Sequence, residues 1–213
     1  MKKVLHQYFF SVEGETEKWY LEWLARTINT SPLTQTLVKF DIKVNKDPVS
    51  RIKQIALAPK EIFHVFDIES QEKVHVDQLA TTLERLKKAS SLKSTRYCIG
   101  YSNFAFELWI VLHKSNGMTS LAHRRQYLKT INKVFGEKFE DLHEYKHENN
   151  FKRILQKLSL SEVKEAVRRV ERLMQQARQH YRPVKQCGYE YFRENPSLSL
   201  HEVIGKILKE CGL

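Results

Sequence analysis

The stretch VLHQYFFSVEGETEKWYLEWL, residues 4–24, decides the fold. Residues 4–12 form a mostly apolar run around Tyr8, Phe9 and Phe10, the pattern of a strand buried on both faces. From Thr16 the period changes. Trp19, Tyr20, Trp23, Leu24 and Ile28 recur at helical spacing, which predicts a helix to about Asn29. Glu13, Glu15 and Glu17 crowd the junction between the two, in a chain whose formal net charge is +11. A buried strand passing directly into a helix is the unit of a parallel α/β sheet, and the acids sit at its edge.

Working outward, Ser31-Pro32 breaks the first helix, and Leu37 to Val44 alternates with the period of a strand. Asp47-Pro48 reads as N-cap and first helical residue of a helix running to about Leu57. Glu61 to Glu69 predicts the next strand, about Val74 to Ala89 a helix, and Arg96 to Tyr101 a fourth strand. Ser102 is expected to cap a helix through Lys114. The order βαβαβαβα implies a parallel four-stranded sheet flanked by helices. Beyond Gly117 the pattern is helical: Leu121 to Val134 closed by Gly136, Ser161 to His180, and a last helix after Ser199. Ser159 and Glu162 form a capping box for the second of these. No strand is expected after residue 117. The chain therefore divides into an α/β core, residues 1–117, and an all-helical basic extension packed on it, residues 118–213.

Composition narrows the function. With 213 residues and 41% hydrophobic content the chain can bury a proper core. No apolar run is long enough to span a bilayer, so no membrane partner is expected. The N-terminus has His6 and Gln7 where a signal peptide needs an apolar region, and Cys98, Cys187 and Cys211 form no C-x-x-C pair. Both features suit a reducing, cytoplasmic location. Residues 1–117 hold 17 Lys+Arg against 13 Asp+Glu, and residues 118–213 hold 19 against 12. Such a cationic surface suits a polyanion, and nucleic acid is the expected partner.

In an open parallel sheet, functional groups gather beyond the carboxyl ends of the strands. Glu13 follows the first strand, Asp67 and Glu69 end the third, and Glu107 lies just after the fourth. Carboxylates gathered at one edge repel unless neutralised, and oxygen donors suit Mg2+ or Mn2+. The Asp67-x-Glu69 spacing places both side chains on one face of the strand end, and Asn103 and Glu107, four apart, share a helical face. Gly14 lets the backbone turn after Glu13 and opens the helix N-terminus to a ligand. Each acid also has a plainer reading. Glu13, Glu15 and Glu17 can favour a helix N-terminus. Asp67 and Glu69 can simply close a strand, and Glu107 can pair with a lysine or arginine.

At these residues the chain resembles the RloB-like family, whose members carry a Toprim-type α/β domain. The resemblance rests on Glu13-Gly14-x-Thr16-Glu17, on the acidic strand end Asp67-x-Glu69, and on Ser102-Asn103-x-x-Phe106-Glu107-Leu108-Trp109 with His113. Tyr145-Lys146 and NPSLSLHEVIGKIL near the end extend it over nearly the whole chain. Two positions depart from the family pattern: Glu69 stands where an aspartate is usual, and Phe104 where a proline is usual. The resemblance implies a Toprim-like, metal-dependent phosphodiesterase or nuclease acting on DNA or RNA, associated with restriction and phage-defence loci and sometimes an ATPase. It makes Glu13, Glu17 and Lys146 the candidates for catalysis. Asp67, Glu69, Glu107 and Glu13 become the metal ligands, with Gly14, Asn103 and His113 in support. Having no G-x-x-x-x-G-K-[ST], the chain would need a partner protein for any ATP-driven step.

On the predicted helix Ser161–His180, Arg168, Arg169 and Arg172 fall opposite the apolar stripe, with Arg178 beyond, as a surface for phosphates. Glu165 and Glu171 beside them equally describe an ordinary solvated face. His113 lies six residues past Glu107, off its helical face, and reads as a packed histidine. His143 and His147 lack the carboxylate of a zinc motif. Competing readings are a non-catalytic nucleic-acid- or partner-binding subunit of a defence complex and a primase-like nucleotidyl transferase. Self-association into a homo-oligomer stays open.

Overall fold

A computed structural model describes residues 3–115 and 123–213. Four strands and their helices alternate as the sequence predicts. These are β1 (Leu5–Val12), α1 (Glu15–Thr30), β2 (Leu37–Val44), α2 (Pro48–Gln54), β3 (Glu61–Asp67), α3 (Lys73–Leu92), β4 (Arg96–Asn103) and α4 (Glu107–Leu112). The α2 start is as read: Asp47 accepts from the Val49 amide at 3.0 Å, with Pro48 as the first helical residue. There follow α5 (Tyr127–Phe135), α6 (Leu142–Lys146), α7 (Glu148–Gln156), α8 (Leu160–His180), β5 (Val184–Gln186), β6 (Tyr189–Tyr191), β7 (Ser197–Leu198) and α9 (Leu200–Glu210). The expected start of a helix at Leu121 and the boundary between residues 117 and 118 lie outside the described residues.

The sheet has five strands in the order β2-β1-β3-β4-β7. The first four are parallel, and β7 runs antiparallel to β4, with Ser102 opposite Leu198 and Asn103 opposite Ser197. This corrects two expectations: the sheet is not four-stranded, and the second half of the chain is not all-helical. Besides β7 it holds the hairpin β5–β6, turned through Cys187 and Gly188, both with positive φ. The same pairing corrects the region after β4. Ser102 and Asn103 stay in the strand instead of capping a helix, and α4 begins only at Glu107.

Alternation along the strands feeds two apolar layers. Tyr8, Phe10, Val12, Phe63 and Val65 face α1, α4, α8 and α9, where Tyr20, Leu24, Trp109, Val170 and Ile204 are buried. Ile62, Phe66, Tyr97 and Tyr101 face α2 and α3, against Ile52, Leu83 and Leu86. Each fully buried side chain of this size contributes about 1.5–3 kcal/mol relative to exposure. The larger layer draws residues from both halves of the chain, which fixes the later helices against the sheet. Strand order reverses between β1 and β3: β2 lies on one side of β1, and β3 on the other. A crevice opens at the carboxyl ends of strands at such a reversal.

Candidate functional site

Glu13 follows β1 and Asp67 ends β3, so the two flank that crevice. The Asp67 amide donates to Glu13 Oε2 across 3.4 Å, a long contact that still places both acids together. Glu17, one turn into α1, is buried and accepts from the Thr16 hydroxyl at 2.9 Å. Gly14 makes room for it. A Cβ on Gly14 would stand 2.9 Å from Glu17 Oε2, and the glycine backbone is ordinary extended chain. Here a larger residue would make the Glu17 carboxyl shift, while the backbone itself asks for no glycine.

Glu107 opens α4 and is 1% exposed. Its Oε1 lies 2.9 Å from Lys146 Nζ at the end of α6, while its Oε2 is buried with no hydrogen-bond partner. The hydroxyl of Tyr145, also buried, has no partner either. Burial raises the Asp67 carboxyl well above the usual aspartate range, and the charges of Glu17, Glu107 and Glu13 raise it further against the pull of Lys146. Burial likewise raises Glu13, opposed by the Asp67 amide and Lys46, and raises Glu17, opposed by its hydrogen bonds and Lys146. Burial works to lower the Lys146 pKa, but Glu107, Asp67 and Glu17 more than offset it and hold the ammonium protonated. Three acids from three parts of the chain, Glu17, Asp67 and Glu107, thus act on one lysine.

The other predicted residues are placed differently. Glu69 lies beyond the end of β3, not on its face, and its carboxylate is held by His75 Nε2 and Arg124 Nη1, each at 3.0 Å. Asn103 shares no helix with Glu107. Its amide donates to the carbonyls of Arg193 at 2.8 Å and Glu194 at 3.2 Å, tying the segment before β7 to the sheet edge. His113 is buried, its Nδ1 donating to the Trp109 carbonyl at 2.8 Å and its Nε2 accepting from the Tyr20 hydroxyl at 3.1 Å. That is the packed histidine of the plainer reading, and burial pushes its pKa down to about 4. On α8, Arg169 Nη1 donates to the carbonyls of Leu112 and His113, both at 2.8 Å, and so caps α4 instead of facing solvent. Arg168 pairs with Glu165, and Arg172 and Arg178 are exposed.

Sequence reasoning missed Lys46, Lys73 and Arg124. Lys46 follows the carboxyl end of β2 and Lys73 opens α3, so the strand-end rule applied to β2 and β3 alike points to both. Arg124, in a short 3-10 turn, carries no sequence signal.

The donor set is all carboxylate oxygen, with one acceptor, Glu107 Oε2, left orphaned, which suits a hard divalent cation. Among the described residues, no three such side chains stand together as a ligand group, and Lys146 takes one oxygen of Glu107. Among the described residues no helix is long and apolar enough to cross a membrane. A family model described as RloB-like protein matches residues 8–207. No curated protein and no solved structure matches the chain.

Proposed function

The chain belongs to the RloB-like family, and from that premise we propose that it is a Toprim-like, metal-dependent phosphodiesterase acting on nucleic acid. The observation that carries the reading is the convergence of Glu13, Glu17, Asp67 and Glu107 at the strand-order reversal, with Glu107 Oε2 unpartnered. Asp67, Glu107 and Glu13 would hold Mg2+ or Mn2+. When bound, the ion would polarise the scissile phosphate and supply a nucleophilic water at neutral pH. Glu13, the least enclosed of these acids on the crevice side, takes or delivers the proton at its Oε2. Glu17 stands behind Glu13 and Asp67, its carboxyl oriented by the Thr16 hydroxyl. Lys146 brings a fixed positive charge to the phosphoryl oxygens as charge develops on them. Glu69 acts from the rim, through His75 and Arg124.

The test is cleavage of labelled DNA and RNA with Mg2+, Mn2+ or EDTA, comparing the native chain with Glu13→Ala, Asp67→Ala and Glu107→Gln. Metal-dependent cleavage should fall at least a hundredfold in each variant. Cleavage that survives all three substitutions rules the site out. The pairing of Lys146 with Glu107 favours a second reading, a non-catalytic binding subunit whose cluster is neutralised from within. Nucleic-acid binding with no cleavage under any metal would select it. An antiviral role, cytoplasmic location and an ATPase partner belong to the same proposal through the family resemblance.

A further inference from the structure

Against the acid cluster lies a groove of about 770 Å3 between the ends of β1 and β3 and the start of α3. Acids and bases line it together: Glu13, Asp67, Glu69 and Asp77 with Lys46, Lys73 and Arg85. Arg85 is neutralised, its guanidinium donating to both oxygens of Asp47 at 2.8 and 2.6 Å. That pair also occupies Asp47, the acid next to Lys46 in sequence. Lys46 and Lys73 are exposed, and no ion pair among the described residues holds either ammonium. Lys46 is near enough to Glu13 to lower its pKa. The first turn of α3 carries no acid and no side-chain cap, and Glu72 stands at its N-cap.

We propose that this groove, and not the arginine face of α8, binds the polynucleotide backbone, with Lys46 and Lys73 clamping a phosphate next to the one held over the acid cluster. The inference rests on the phosphodiesterase reading for the second phosphate and on the groove itself for the first. α8 is the weaker candidate because two of its arginines are engaged and it lies away from the acid cluster. Arg169 is turned to the α4 carbonyls, Arg168 is paired with Glu165, and the neighbouring groove of about 1010 Å3 mixes Lys164, Arg168, Lys206 and Lys209 with Glu171, Glu202 and Glu210. Among the described residues, the phosphate groove offers no free ring for a base to stack on: Phe66 is buried in the core and His75 is held by Ser70 and Glu69. Recognition there is of charge and not of base, so sequence preference should be slight.

Fluorescence anisotropy of a labelled single-stranded oligonucleotide, as DNA and as RNA, in EDTA, isolates binding from cleavage. Lys46→Ala with Lys73→Ala should weaken binding at least tenfold and reduce the slope of log K against log salt by about 0.7, as expected when one phosphate of a single strand is no longer neutralised. Lys46→Arg with Lys73→Arg should restore both values. Arg168→Ala with Arg172→Ala should change affinity less than about twofold. Unchanged affinity and slope in the Lys46/Lys73 double alanine variant, or no binding by the native chain even at low salt, overturns the inference. Binding that depends on Lys46 and Lys73 without metal-dependent cleavage sinks the phosphodiesterase reading and leaves the groove standing. Cleavage by a chain whose binding ignores both lysines does the reverse.

Discussion

At the scale of the residue, Asp67 shows the cost of assembling acids in one buried place. Its folded pKa is raised by burial and by Glu17 and Glu107. The folded state therefore binds a proton more tightly than the unfolded chain, and this group's contribution to stability is lost as pH rises through the raised value. Asp67→Asn removes the repulsion, so at pH 7.5 it should raise Tm by roughly 2–8 °C for about 1–2 kcal/mol of relief. Near pH 3.5, where Asp67 is protonated in both states, the gain should vanish. Added Mg2+ should raise Tm of the native chain and not of the variant; a variant melting no higher than the native chain at pH 7.5 would refute the repulsion. Glu13, Asp67 and Glu107 were legible because strand ends are legible, and the helix or strand around each is strongly patterned. Glu69 and Asn103 were legible as candidates but not in role. Partners from distant segments, Arg124 and His75 for one and the Arg193–Glu194 backbone for the other, decide what they do.

Among the elements, α8 is the one the sequence defines best. Ser159 and Glu162 cap each other's backbone as the S-x-x-E pattern demands, and Val163, Ala166, Val170, Met174 and Ala177 are buried at helical spacing. What that pattern cannot carry is where the polar face goes. Arg169 stands on the predicted outer face, yet it closes the carbonyl end of α4, a six-residue helix lacking any basic residue in its last turn. Arg169→Ala should therefore cost about 2 kcal/mol of stability, read as a lower urea midpoint with unchanged m, while leaving nucleic-acid affinity within about twofold. A variant of full stability that loses binding would restore Arg169 to the phosphate surface. β7 and the β5–β6 hairpin escaped sequence reading for a related reason. Strands of two or three residues have no period to detect, and β7 exists only because β4 offers it an edge.

For the whole molecule, three buried histidines set the acid limit of the fold. His64, His113 and His201 are each pushed down to about 4, chiefly by burial. Their neutral forms belong to the folded state, so their contribution is full above about pH 6.5 and declines as pH falls towards 4, where the unfolded chain takes up protons that the folded one refuses. The raised carboxyls Glu13, Glu17 and Asp67 act in the opposite sense, favouring the protonated folded cluster over part of the same range. Melting curves from pH 7.5 down to pH 4 should show Tm falling, and falling more steeply in Asp67→Asn, from which one opposing carboxyl is gone. A Tm that holds level to pH 4 in that variant would show the histidines to be protonated within the fold. Finally, β7 comes from far along the chain, yet it pairs with β4 beside the acid cluster. On the ribosome, β4 emerges long before its antiparallel neighbour is made, so a nascent chain carries an open sheet border next to an unfinished pocket. Synthesis itself thus delays the moment at which the sheet border and the pocket beside it are complete.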